Sequence, residues 1–134
     1  MLIVSLFTVS HTIGQDLKEV VTKSGLRYVV LKAGSGEVAR TGQEVGIYET
    51  MSYLSGKQFY SIDRPAPPIK VVLGTKQVIA GVDEALTGMR LGEVRKVIVP
   101  PSLSKRIEYP ANLSPDSTLL YRIELVEIYS NEKK

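Results

Sequence analysis

The sequence predicts an α+β fold, with one helix packed on a face of an antiparallel β-sheet. Three observations predict it. Most apolar residues fall in short runs rich in Val, Ile and Tyr, separated by Gly or Pro turn signals. A single segment has convincing helical spacing: Ile79, Val82, Leu86 and Met89 share one face, with Val78 and Ala85 flanking it. The closing stretch alternates Leu119, Tyr121, Ile123 and Leu125 with Leu120, Arg122 and Glu124, as a half-buried strand does. Runs of strands with an isolated helix give this class of architecture.

The elements follow in order. Met1 to Val9, MLIVSLFTV, is too short to span a bilayer as a helix. With the small, polar SHTIGQD behind it, the run reads as a secretory signal over 1–15, or else as a first strand; no Lys or Arg precedes it. Residues 16–24 are charged and mixed, a lead-in segment. The domain proper is expected over 25–130, with 131–134 as a charged tail. LRYVVL (26–31) is the first clear strand, and AGSGEVARTGQ (33–43) a Gly-rich connection. VGIYETMSYL (45–54) and QFYSI (58–62) are strands around a Ser55-Gly56 turn. DRPAPPIK (63–70) holds three prolines, so it is loop or sheet edge. KVVLG (70–74) is a short strand. The helix follows, with Asp83 and Glu84 pointing away and Gly88 and Gly92 ending it. VRKVIVPP (94–101) is a strand stopped by two prolines. A polar loop (102–116) leads to the last strand, STLLYRIELVEIY (117–129).

Composition removes several classes of function. The chain has 134 residues, enough for one domain with a real core. Net charge is +3, with no basic stripe carrying interleaved aromatics, so no nucleic-acid partner is expected. There is no cysteine, which excludes thiol catalysis, disulfides and Cys-ligated zinc. The single histidine, His11, reads as an exposed bystander, and no carboxylate cluster suggests a metal. Neither metal nor cofactor is expected, nor stable membrane insertion. Asn112-Leu113-Ser114 is formally a glycosylation sequon, followed by Pro115.

Five segments carry a resemblance: TKSGLRYVVLKAGSG (22–36), GQEVGIY (42–48), GKQF (56–59), LGTKQVIAGVDEALTGMRLGEVRKVIVPP (73–101) and STLLYRIELVEI (117–128). In this order and spacing they resemble the FKBP-type peptidyl-prolyl cis-trans isomerases over about residues 22–129. The resemblance implies an FKBP-like fold, a twisted antiparallel β-sheet wrapped around one short α-helix. It implies an isomerase acting on X-Pro bonds of proline-containing polypeptide clients and assisting their folding. The alternative is a non-catalytic FKBP-like polypeptide-binding or chaperone module. A monomer is expected, extracytoplasmic if the signal is cleaved and cytoplasmic otherwise.

The family's pocket maps onto this chain by resemblance. Tyr48, Phe59, Ile79 and Tyr121 fall at catalytic positions, Tyr121 where the family has Phe. Val78 and Ile79 form the pocket floor at the helix entrance, and the Ile79 N–H faces the ligand. Ile69 and Val71 stand at usually aromatic positions, and Leu113 where Ile is common. Three positions depart. Tyr60 replaces an Asp that follows the Phe of the G-x-x-F turn. Val82 replaces a floor Trp. Lys105 replaces the Tyr of an A-Y-G segment, which here is Ser104-Lys105-Arg106. The H-Y-T-G segment maps to Ile47-Tyr48-Glu49-Thr50, with one extra residue before Gly56. These departures imply reduced turnover and poor macrolide binding.

Overall fold

The computed structural model describes residues 17–129. The expected signal over 1–15 and the tail over 131–134 lie outside the described residues. Among the described residues seven strands and one α-helix follow in chain order: β1 (Val20–Val21), β2 (Arg27–Lys32), β3 (Glu44–Tyr53), β4 (Gln58–Ile62), β5 (Ile69–Val72), α1 (Ala80–Leu86), β6 (Val94–Val99) and β7 (Leu119–Ile128). One 3-10 turn, Pro101–Leu103, follows β6.

Every strand pair is antiparallel, in the order β1-β2-β6-β7-β3-β4. β3 and β7 are the long central strands. The outer edge of β3 is divided between two partners. Its first half, Glu44–Ile47, pairs with β5, and Glu49–Ser52 pairs with β4. The sheet face toward α1 carries the apolar alternation: Ile47 and Met51 on β3, Val97 and Val99 on β6, and Leu119, Tyr121, Ile123 and Leu125 on β7. All pack in one core with Val82, Ala85 and Leu86 of the helix.

The helix sits very close to β6. A Cβ on Gly81 would lie 2.6 Å from Val99 Cγ1, so only glycine permits this approach. Its position is fixed by polar ties on three sides. Gly74 N–H donates to Asp83 Oδ2 at 2.9 Å, Ser24 Oγ donates to Glu84 Oε1 at 2.6 Å, and Arg95 Nη1 donates to the Ala85 carbonyl at 3.1 Å. Arg95 is itself buried, paired with Glu93 at 2.5 Å and stacked 4.1 Å from the Tyr28 ring centroid.

Within the lead-in segment, Val20–Val21 pairs with β2. Two sequence expectations need correction. The helix is shorter than its apolar spacing: Ile79 is the extended N-cap residue, and Met89 lies beyond Gly88, whose φ of 97° ends the helix. Both still pack on the core, so the spacing marked the buried face and not the helix length. Asp83 does not point away, since it anchors the turn at Gly74.

Candidate active site

A cleft of about 1030 Å³ opens between the N-terminal end of α1, the inner face of β3, β4 and β7, and the loop after the 3-10 turn. Its apolar floor is made by Val78, Ile79, Val82 and Tyr121. The sequence puts these here through local geometry. Ile79 is held extended, with φ −62° and ψ 155°, which turns the chain from the β5 side into the helix. The preceding turn is pinned by Gln77, whose Oε1 accepts from Val72 N–H at 2.9 Å. No side chain caps the helix. Among the described residues the Ile79 N–H has no acceptor, leaving a backbone donor at the cleft.

The opposite wall is polar. Glu49 of β3 accepts a short hydrogen bond from the Tyr60 hydroxyl of β4. Arg106 Nη2 donates to the Tyr121 hydroxyl at 3.2 Å and lies 3.5 Å from Ser104 Oγ. Burial pushes the Glu49 carboxyl above the usual carboxylate range, against the lowering effect of the Tyr60 bond and the Arg106 charge. Burial, with the Glu49 charge beside it, also pushes the Tyr60 hydroxyl up. Tyr121 is raised by burial, with Arg106 pulling the other way. Among the described residues, two buried atoms of this wall have no protein hydrogen-bond partner, Glu49 Oε1 and Arg106 Nε.

The expected site residues divide cleanly. Tyr60, Val78, Ile79, Val82, Lys105 and Tyr121 line the cleft together. Tyr48 does not. Its side chain lies on the outer face of β3, where its hydroxyl donates to the Ala66 carbonyl at 2.7 Å and the Arg64 guanidinium stacks 4.6 Å from its ring centroid. The residue facing the cleft from β3 is Glu49. A one-residue slip in a strand turns every side chain to the other face, and the extra residue expected before Gly56 is that slip. Counted back from Phe59 without a gap, Glu49 takes the family's tyrosine position. Phe59 sits in the bulge where β4 loses register with β3, edge-on to Tyr53 at 6.0 Å, outside the cleft lining. Val71 and Leu113 are buried core residues, and Ile69 is half-buried against the same core. Lys105 is exposed at the rim, while its neighbour Arg106 turns inward.

The ungapped register changes the meaning of Tyr60. The family pattern has Tyr on the central strand and Asp on the edge strand. Here the carboxylate is on β3 and the tyrosine on β4, hydrogen-bonded to each other. The two chemical groups have exchanged strands.

Residues 35–126 match the family described as FKBP-type peptidyl-prolyl cis-trans isomerase. The chain is 36% identical over 132 residues to the photosynthetic NDH subunit of lumenal location 4, chloroplastic, of Arabidopsis thaliana, covering 88% of this chain and 60% of that protein. It is 34% identical over 111 residues to FK506-binding protein 1A of Neurospora crassa, covering 81% of this chain and 92% of that protein. Its fold superposes on the crystal structure of FkpA from Escherichia coli with a TM-score of 0.75 and 25% identity, covering 90% of this chain and 56% of the other. A helix in the lap of an antiparallel sheet, an uncapped helix entrance over an apolar floor and the family match over most of the chain lead to one assignment. The chain belongs to the FKBP-type peptidyl-prolyl cis-trans isomerase family.

Proposed function

We propose that this chain binds X-Pro segments of polypeptides in the cleft and accelerates their cis–trans exchange. The carrying observation is the uncapped N–H of Ile79 above the floor of Val78, Val82 and Tyr121. Rotation about the X-Pro bond crosses a barrier of ~18–20 kcal/mol and breaks no covalent bond. A twisted amide loses resonance, so its oxygen carries less charge than in the planar amide. A water-poor apolar floor therefore favours the twisted form relative to the planar one. The Ile79 N–H holds a flanking carbonyl while the prolyl ring rests on the floor. Val82, smaller than the family's Trp, supports the ring less closely, which favours modest turnover. Tyr60 and Lys105 replace groups that the family directs at the substrate, and favour the same outcome.

A second reading is a binding module without catalysis. It is favoured by one observation: a relative covering most of this chain is named as a subunit of a larger assembly. The name of that relative, lumenal, also supports an extracytoplasmic location; the N-terminal residue of the mature protein, expected near Gln15, tests it. The cis–trans exchange rate of X-Pro peptides in the presence of the full chain separates the two readings. Acceleration that disappears when the cleft is blocked by an Ile79→Trp variant supports the isomerase. Peptide binding without acceleration supports the module.

A further inference from the structure

Val78 and Ile79 close a turn that belongs to no helix or strand, since β5 ends at Val72 and α1 begins at Ala80. Residues 73–79 are held instead by individual bonds. The start is fixed at Leu73, which is fully buried; its N–H donates to the Gln43 carbonyl at 3.0 Å and its carbonyl accepts from Gly42 at 2.9 Å. The end is fixed at Ile79, whose carbonyl accepts from the N–H groups of Val82 and Asp83, each at 3.1 Å. Between them the chain bends sharply, with left-handed φ of 85° at Gly74 and 65° at Lys76. A residue with a side chain is strained there and keeps that shape only while its surroundings impose it. Asp83 touches both ends of the bend. Its backbone N–H donates to Ile79, and its Oδ2 accepts from the Gly74 N–H at 2.9 Å. The chain from Gly74 to Asp83 is thereby closed into a ring that contains the Val78–Ile79 peptide. Gly74, Val78, Ile79 and Asp83 all line the cleft.

We infer that Asp83 is a positioning residue for this cleft: its carboxylate, bonded to the Gly74 N–H, holds the turn so that Val78 and the Ile79 N–H are presented in one fixed arrangement. The inference rests on the proposed X-Pro binding. Asp83 acts through Val78 and Ile79 and needs no contact with the client. A backbone donor is useful only along its own direction, because a hydrogen bond weakens steeply as its angle closes. Once Gly74 is released, the strained turn can relax, and the peptide plane between Val78 and Ile79 turns with it. A client must then order the turn as it binds, which lowers affinity. The other side-chain bonds of the turn do not replace Asp83. Gln77 and Thr75 both bond to Val72, at 2.9 and 2.7 Å, and neither bond reaches the helix. The bond from Ser24 to Glu84 ties the helix to the segment before β2 and does not reach the turn.

The test compares the unaltered full chain with Asp83→Ala, Asp83→Asn and Ser24→Ala, under conditions where circular dichroism shows each to be folded. The dissociation constant of a short peptide with one Leu-Pro bond is measured on all four. Asp83→Ala is expected to bind about tenfold more weakly, the worth of about one hydrogen bond. Asp83→Asn keeps an acceptor oxygen for Gly74 and is expected to stay within about threefold of the unaltered chain. Ser24→Ala removes a tie of the same helix and is expected to leave the affinity unchanged. If Asp83→Ala lowers the denaturation midpoint and leaves the affinity of the folded protein unchanged, Asp83 only stabilises the fold and the inference is overturned. Equal weakening in Ser24→Ala overturns it too, since any tie of the helix would then serve. Asp83→Asn as weak as Asp83→Ala overturns it in favour of a direct effect of the charge on the peptide. Failure of the unaltered chain to bind overturns both this inference and X-Pro binding.

Discussion

At the residue scale the decisive fact is the partnership of Glu49 and Tyr60 across β3 and β4. Placing an aspartate at position 60 alone does not restore the family's site. It sets two carboxylates against each other in a buried wall, where like charges cannot both remain ionised. Tyr60→Asp is therefore expected to lose stability and peptide binding, and Glu49→Tyr to lose them by crowding two rings. The double variant Glu49→Tyr/Tyr60→Asp recreates a tyrosine–carboxylate bond with the strands reversed. It is expected to recover most of both losses, read as a coupling of about 1–3 kcal/mol in a double-mutant cycle by denaturation. Additive losses would show that the two residues act independently. Glu49 also imposes a pH dependence. Its folded value is raised above the ordinary 4.5, so the folded state holds more protons than the unfolded state above that pH. Its contribution to stability therefore falls as pH rises from 4.5 through the raised value. Denaturation at a series of pH values is expected to show that decline, and Glu49→Gln to remove it. Glu124 acts in the opposite sense: its bond from Arg64 lowers it, so its contribution is lost as pH falls below 4.5.

At the element scale, α1 is held by closeness and by a buried ion pair. Gly81→Ala is expected to force the helix away from Val99 and cost about 1–3 kcal/mol. Because Val82 is the next residue, the cleft floor moves with it, so peptide affinity should fall as well. Unchanged stability in Gly81→Ala would mean that β6 yields instead. Arg95→Met removes the cation from Glu93 and the donor from the Ala85 carbonyl. It leaves a carboxylate buried without its partner, at an expected cost of about 3–5 kcal/mol in chemical denaturation. These elements were legible in the sequence to different degrees. QFYSI stood out with both ends correct, because a Ser-Gly turn and a proline-rich loop bound it. The helix was legible by face and not by length, since Ile79 and Met89 fall on the helical period while the backbone leaves the helix at both.

At the scale of the whole molecule, one core runs under the central strands and the helix. Unfolding is expected to be a single cooperative transition, with the same midpoint by backbone circular dichroism and by tyrosine fluorescence. Two separate midpoints would show that the helix side opens independently of the sheet. The fold and the cleft floor could be read from the sequence because both rest on apolar periodicity and on a run of motif residues around Val78, Ile79 and Val82. The polar wall could not. Glu49 lies between Ile47 and Met51, both inward-facing, and a charged residue at that point of an alternating strand was a signal that the gapped register concealed. Arg106 gave no signal at all, because a loop has no period from which to infer direction.

The division of β3's outer edge between β4 and β5 has a bearing on how this cleft can change. Glu49 belongs to a strand bonded on both sides, to β7 and to β4, whereas Tyr60 belongs to a strand paired on one side. A new side chain at position 60 can be absorbed by a shift of the rim. At position 49 the same change must be accommodated by the centre of the sheet. The exchange of groups has thus put the charge in the part of the cleft least open to variation and the aromatic ring in the part most open to it. Variation among close relatives of this chain should accordingly gather at position 60 and spare position 49, leaving each with a differently shaped mouth around the same buried acid.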